Sequence, residues 1–307
     1  MGHDHNHTGG NAGHQHGPAS PNKAFAIAIA ANLLFMLVQA GYALAANSMS
    51  LLADAGHNFG DVIGLLLAWL ASWLLTLKPG GRFSYGFKRT TILAALANAL
   101  ILVFASALIM HESILRLMHP APINEPIVMV VAAIGILVNG GTALLFMRDR
   151  HDDLNLKGAF LHLASDALIS LGVVVTGALI LWTKAYWLDP AVGLLIIVTI
   201  LWGTWGLLQE SIHLILDAVP IKVNRQDVEA YLANIKDVAA VHDLHIWAMS
   251  TSGIALTAHL VLPDRTLTDE EYRQINHDLK EKFEIDHATL QVEQGNVDHL
   301  CPRTERC

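Results

Sequence analysis

Apolar residues fall into six long runs, and after these into short alternating or helix-spaced groups. The runs cover about Ala24–Ala46, Ser50–Leu77, Thr90–Met118, Ile127–Met147, Leu156–Thr183 and Pro190–Leu208. Crossing a bilayer as a helix takes roughly 20 mainly apolar residues, so each run is read as a spanning helix. Lys78-Pro79-Gly80-Gly81 stops the second run, and the Pro120/Pro122 pair stops the third. Ala43-Leu44-Ala45-Ala46 has the small residues of a signal-peptidase site. However, the region before it is long and polar, and the run exceeds the ~7–15 residues of a signal, which argues against cleavage.

Beyond about Ile212 the pattern changes to that of a small water-soluble domain. Asn224–Ile235 is helix-spaced with Asn224 as cap, and Thr268–Phe283 opens on the capping box Thr268-Asp269-Glu270-Glu271. Ala240–Met249 and Ile254–Leu262 are β-rich and joined by Ser250-Thr251-Ser252-Gly253, a hairpin signal, and Ala288–Glu293 makes a third strand. The order α-β-β-α-β predicts a small antiparallel sheet with helices on one face. The chain therefore divides into a polar tail at 1–22, a six-helix membrane domain at 23–210 and a soluble α+β domain at 211–307.

Charge sharpens this division. Only 15% of residues are charged, against about 25% in soluble domains. From Ser211 onward, nine Lys/Arg face sixteen Asp/Glu, which accounts for −7 of the total −8. Nothing is basic enough to hold nucleic acid. Six crossings put both ends on one side. Lys23, Lys78, Arg82, Lys88, Arg89, Arg148, Arg150 and Lys157 mark that side as cytoplasmic, against Arg116 and Lys184 opposite. Trp69, Trp73, Trp182, Trp187, Trp202 and Trp205 fit interfacial belts. The two cysteines, Cys301 and Cys307, are too few for a disulfide-stapled fold.

Histidine, at 17 residues, is the compositional hint of metal. His3, His5, His7, His14 and His16 lie in a tail that is read either as a metal scavenger or as a neutral leader or tag remnant. More telling are polar residues inside the apolar runs, where an ionisable group costs about 2.5–3.5 kcal/mol. The second run carries Asp54, His57 and Asp61, and the fifth carries His162 and Asp166. Residues four apart share a helix face, so each run offers one imidazole beside one carboxylate. Such a pair can simply glue helices together. Two matching pairs, with no Lys or Arg inside either span beyond Lys157 at the edge of the fifth, instead ask for a cation or protons. Two nitrogens and two oxygens suit Zn²⁺, and also Co²⁺, Cd²⁺, Mn²⁺ or Fe²⁺, whereas Ca²⁺ and Mg²⁺ prefer six or more oxygens. Asp54 is either an outer relay or access ligand, or a partly wetted helix-end residue. Asn47, Asn98 and Asn139 are read as helix-packing hydrogen bonders. If the apolar boundaries mark the membrane edges, the two pairs differ in depth by about 10 Å at 1.5 Å per residue. The fifth helix must then sit lower than its run suggests, or the helices must shift.

Together, LADAGHNFGD, HLASD, the YGFKR loop, LDAVP and VHDLHIW resemble the cation diffusion facilitator family, in its zinc-exporter branch, over about Ala24 to Glu293. The resemblance implies a homodimeric metal/proton antiporter of the bacterial cytoplasmic (inner) membrane, moving Zn²⁺ with Co²⁺ or Cd²⁺ as alternatives. It maps the transport ligands onto His57, Asp61, His162 and Asp166, with His at the first position favouring zinc over cadmium. It further implies a cytoplasmic metal cluster at His242, His259 and Glu293. His245 beside it serves either as a ligand or in packing at the dimer interface. Asp217 is expected to pair with Lys88 or Arg89 as an interlock at the inner face. Tyr85 stands where some members have a histidine of a second loop site, and the fourth-to-fifth loop has only His151 where many relatives are His-rich. Cys301 and Cys307 are spaced more widely than the CxxC of vesicular relatives.

The same residues bear on rival functions. No HExxH stands in the chain for an intramembrane zinc hydrolase, and four protein ligands leave no position for a catalytic water. No Walker A motif provides for ATP. A passive metal channel or a membrane metal sensor remains open.

Overall fold

The computed structural model describes residues 23–146 and 154–295. The His-rich tail, His151, Cys301 and Cys307 lie outside them. The elements in order are α1 (Lys23–Ala45), α2 (Met49–Leu75), α3 (Thr90–Met118), α4 (Glu125–Phe146), α5 (Leu154–Thr183) and α6 (Leu188–Ile215). They continue with α7 (Arg225–Ala233), β1 (Ala240–Ala248), β2 (Ile254–Val261), α8 (Asp269–Phe283) and β3 (His287–Glu293). Helices α2 to α6 are each long and apolar enough to cross a bilayer, and in α1 the described apolar stretch is Leu33–Ala45. Helix α6 runs a further two turns beyond Leu208, where its apolar run ends, because its last turns pack against α3 and the soluble domain rather than lipid.

Packing in the membrane domain is lopsided. Helix α4 lies along α5 and α3 along α6, with α2 against α1, α3 and α6. The fully buried apolar cluster draws on Ala46, Leu51, Val128, Val173, Ile180 and Ile197. These belong to the end of α1, the starts of α2 and α4, the end of α5 and the first half of α6. The sealed core is therefore in the half of the bundle away from the soluble domain, here called outer.

The outer end of α2 is sunk beneath the surface. Asn124 N donates to Ala46 O at 3.0 Å and Arg116 Nη1 to Asn47 O at 2.7 Å, so the α3–α4 loop covers the α1–α2 turn. Asn47 adopts a left-handed φ of 58° to make that turn. Below it, the Asp189 carboxylate at the start of α6 accepts from Ser48 Oγ (2.5 Å), Met49 N (2.5 Å) and Ser50 Oγ (2.6 Å). Four backbone N–H groups at a helix start lack partners, and a negative charge there also meets the helix dipole. This capping answers the expected depth mismatch: α2 begins deeper than its sequence suggests, so the shift is not left to α5 alone.

The soluble domain has the expected elements but a different sheet. Strands pair in the order β1-β2-β3, with β1–β2 antiparallel and β2–β3 parallel. The antiparallel expectation is corrected by α8. It returns the chain along the sheet, so β3 enters in the same direction as β2. Asn224 and Thr268 cap α7 and α8 as expected, the latter with a complete capping box. The hairpin tip reaches the membrane domain, where Thr251 N donates to Thr91 Oγ1 at 3.0 Å and Ala248 packs with Ile92 and Leu214.

Candidate metal centre

The two His/Asp pairs meet between α2 and α5. His57 Nε2 lies 3.0 Å from Asp166 Oδ1 and 4.0 Å from Asp61 Oδ2. His162 Nε2 lies 3.3 Å from Asp61 Oδ2 and 3.7 Å from Asp166 Oδ2. Bonds of about 2.0–2.1 Å to a tetrahedral Zn²⁺ place neighbouring ligand atoms about 3.3 Å apart. The four separations straddle that edge, and one ligand atom from each residue falls within 4.8 Å of all the others. The imidazole rings stand nearly perpendicular, at 77° with centroids 5.9 Å apart, so their nitrogens converge without the rings stacking.

Exposure gives the centre a direction. Helices α2 and α5 run antiparallel, so His57 and Asp166 form its outer level and Asp61 and His162 its inner level. The side chains of the outer pair are 20% and 4% exposed, and those of the inner pair 33% and 47%. Charged groups in a membrane face water-filled paths rather than lipid, so the centre opens toward the soluble domain.

A stripe of small residues places α2. Gly56, Gly60 and Gly64 recur every fourth residue against α3. A Cβ added at them would lie 3.0 Å from Ile109 Cδ1, 2.1 Å from Leu102 Cδ2 and 3.1 Å from Asn98 Nδ2, respectively. Such small-residue stripes let membrane helices approach closely. His57 and Asp61 each follow one of these glycines, so close packing on α3 aims them at α5. The signal was present in the sequence as a GxxxGxxxG repeat overlaid on the HxxxD motif. Asp189 was missed too, because one acid beside a proline at a helix start looks like an exposed cap.

Asp54 is neither a wetted helix-end residue nor part of the four-residue group. It is fully buried, with Oδ2 accepting from Gln39 Nε2 at 2.7 Å and from Ser170 Oγ at 3.0 Å. Gln39 Oε1 in turn accepts from Asn58 Nδ2 at 2.9 Å.

In the soluble domain His242, His259 and Glu293 converge from three adjacent strands. Glu293 sets Oε2 3.0 Å from His242 Nε2 and Oε1 2.8 Å from His259 Nδ1. The His259 nitrogen nevertheless makes no hydrogen bond, which is how donors aimed at a common point rather than at each other are arranged. His245 lies outside the trio. It pairs instead with Asp243 at 2.9 Å, and Asp243 also reaches His259 Nε2 at 3.5 Å. Asp243 stands at φ 53° in the bulge that breaks β1 register between His242 and His245. The His245 hydrogen bond holds its carboxyl below the usual range. At the domain junction Arg89, rather than Lys88, takes Asp217, with Nη2 2.5 Å from Oδ1.

Comparison with known proteins agrees with this architecture along nearly the whole chain. Residues 25–216 match the cation efflux transmembrane domain, and residues 220–295 match the cytoplasmic domain of cation efflux proteins. The chain is 32% identical over 304 residues to a cadmium, cobalt and zinc/H(+)-K(+) antiporter of Bacillus velezensis, covering 97% of this chain and 94% of that protein. It is 33% identical over 294 residues to the metal cation efflux system protein CzcD of Cupriavidus metallidurans (95% and 90% covered). To the zinc transporter ZitB of Escherichia coli it is 32% identical over 297 residues (95% and 93%). A membrane bundle carrying paired His/Asp side chains, joined to a small α+β domain and matched over both parts, identifies the chain as a member of the cation efflux family, a multi-pass membrane transporter and not an enzyme.

Proposed function

We propose that the chain exports Zn²⁺ from the cytoplasm in exchange for protons, with Co²⁺ and Cd²⁺ as alternative cargo. The observation that carries this reading is the donor set: two imidazoles and two carboxylates at tetrahedral spacing, with no thiolate to hold the ion. Cargo must leave as well as bind. Imidazoles, with ordinary pKa near 6.5, accept protons when the metal departs. The relatives named as a cadmium, cobalt and zinc/H(+)-K(+) antiporter, a metal cation efflux protein and a zinc transporter support the same reading. The charge bias of the loops supports both termini in the cytoplasm, the bacterial sources of the relatives support the inner membrane, and the match to the family's cytoplasmic domain supports a homodimer.

The test is flux in reconstituted vesicles with zinc, cobalt, cadmium, manganese or iron, with and without a pH gradient. Zinc flux that saturates, speeds up with an opposing proton gradient and dissipates that gradient is expected. Zinc flux indifferent to the gradient would make the protein a passive channel, and absence of flux with retained binding a sensor.

Further metal positions follow the same reading. His242, His259 and Glu293 hold a regulatory ion that draws the two cytoplasmic domains of a dimer together. The His-rich tail collects metal for them. The Arg89–Asp217 pair keeps the α3 and α6 ends together. A His242→Ala/His259→Ala double variant is expected to keep transport but lose its acceleration by cytoplasmic metal, read as flux against zinc concentration. An unchanged concentration dependence would remove the regulatory role.

A further inference from the structure

Asp54 stands on the sealed side of the metal centre, one turn outward of His57, and transport by the four ligands leaves it without a task. It is fully buried, and so are both of its hydrogen-bonding partners, Gln39 from α1 and Ser170 from α5. Both bonds fall on Oδ2, while Oδ1 has no protein partner. Among the described residues Asp54 makes no ion pair. The titratable groups facing it are His57 on its own helix and Asp166 on α5. Helix α1 brings only the neutral Gln39. Of the acids at the outer ends of the neighbouring helices, Glu125 of α4 is taken by Lys184 at 3.1 Å, Glu112 of α3 by Arg116 at 2.9 Å and Asp189 of α6 by the α2 cap.

Burial in a membrane interior without a cation favours the neutral form of a carboxyl group. The two bonds to Asp54 also tie α2 to α1 and α5 directly outward of the centre, where the apolar core closes the bundle. An opening of the centre to the outer side that separated α2 from α5 would part Ser170 from Asp54 and let water reach the carboxyl, where the charged form is better solvated. We propose that Asp54 is the latch of an outer gate, closing when it takes a proton from the outer side. On closing, an O–H bond forms at the orphan Oδ1 with a proton from outer water. On opening, that bond breaks and the proton returns to the same side, so the latch adds nothing to the count of protons exchanged for metal. High pH on the outer side then delays return to the inward-open form.

This rests on the exchange reading only for its cargo, and the first test needs no transport. Infrared spectra of the full chain in lipid nanodiscs at neutral pH are expected to show a protonated-carboxyl band, shifted in deuterium oxide, that Asp54→Asn lacks. If wild type and Asp54→Asn give the same carboxyl bands, the latch is overturned.

The second test is zinc flux against outer-side pH, with the inner side fixed. Wild type is expected to slow as outer pH rises. Asp54→Asn, which still accepts from Gln39 and Ser170 but is neutral at every pH, is expected to flatten that arm. His57 is present in both proteins, so a superimposable profile overturns the proposal. Asp54→Ala, which lacks the bonds, is expected to raise hydrogen–deuterium exchange in the outer halves of α2 and α5, and unchanged exchange counts against the latch. Wild-type vesicles that move zinc without protons would sink the exchange reading, while the infrared band still decides the latch.

Discussion

Replacing Asp166 with alanine is expected to abolish zinc-driven proton movement in reconstituted vesicles. Asp166 is the most buried of the four proposed ligands, and its two oxygens face His57 at 3.0 Å and His162 at 3.7 Å. Removing it takes one ligand and one of only two negative charges from a dication. Loss of a group that merely orients a metal ligand typically costs about 10–100-fold in affinity, so loss of a ligand is expected to cost at least about 100-fold. Calorimetry with zinc in detergent measures that loss separately from the flux. Asp61→Ala is expected to abolish movement as well, and retained exchange in either variant would remove the assigned centre.

The second large effect is expected away from the metal, at Asp189. Its carboxylate is the partner of Ser48 Oγ, Met49 N and Ser50 Oγ, with Ser50 N also facing it at 3.3 Å, all in the outer half of the bundle. Asp189→Ala leaves these donors unpaired at a buried helix start. Each buried donor left without its partner costs about 1–3 kcal/mol, so about 3–5 kcal/mol is expected for the set. A chain of this size loses about 2–4 °C per kcal/mol, so a melting temperature lower by about 10 °C is expected in detergent, followed by tryptophan fluorescence. Zinc affinity should fall with it, because the cap sets the depth of α2 and therefore of His57 and Asp61. A melting temperature within error of wild type would show that α2 is held by its apolar packing alone.

These two residues also mark how far the sequence could be read. Asp166 was legible because a carboxylate in an apolar run, four residues from a histidine and matched by a second pair, has few uses other than holding a cation. His242, His259 and Glu293 were assigned through family resemblance, and three-strand adjacency then brings them together. Asp189 was not legible. Its meaning depends on Ser48, 141 positions earlier in the chain, and no local pattern carries that pairing. The glycine stripe at 56, 60 and 64 was visible as a repeat, but its role appears only when Leu102 and Asn98 of α3 are set against it.

By itself the sequence determined the six apolar helices, the acidic α+β domain and the two His/Asp pairs set inside the apolar runs. All of these follow from hydrophobic periodicity and from the cost of ions in lipid, which are local properties of each segment. Tertiary structure decided the rest. It set the parallel entry of β3, the depth of α2 under the α3–α4 loop and the burial of Asp54 behind Gln39 and Ser170. It also decided that the centre is open on one side and sealed on the other. Each of these depends on which helix faces which and at what height, and in a membrane bundle close packing and buried hydrogen bonds between distant segments set those relations.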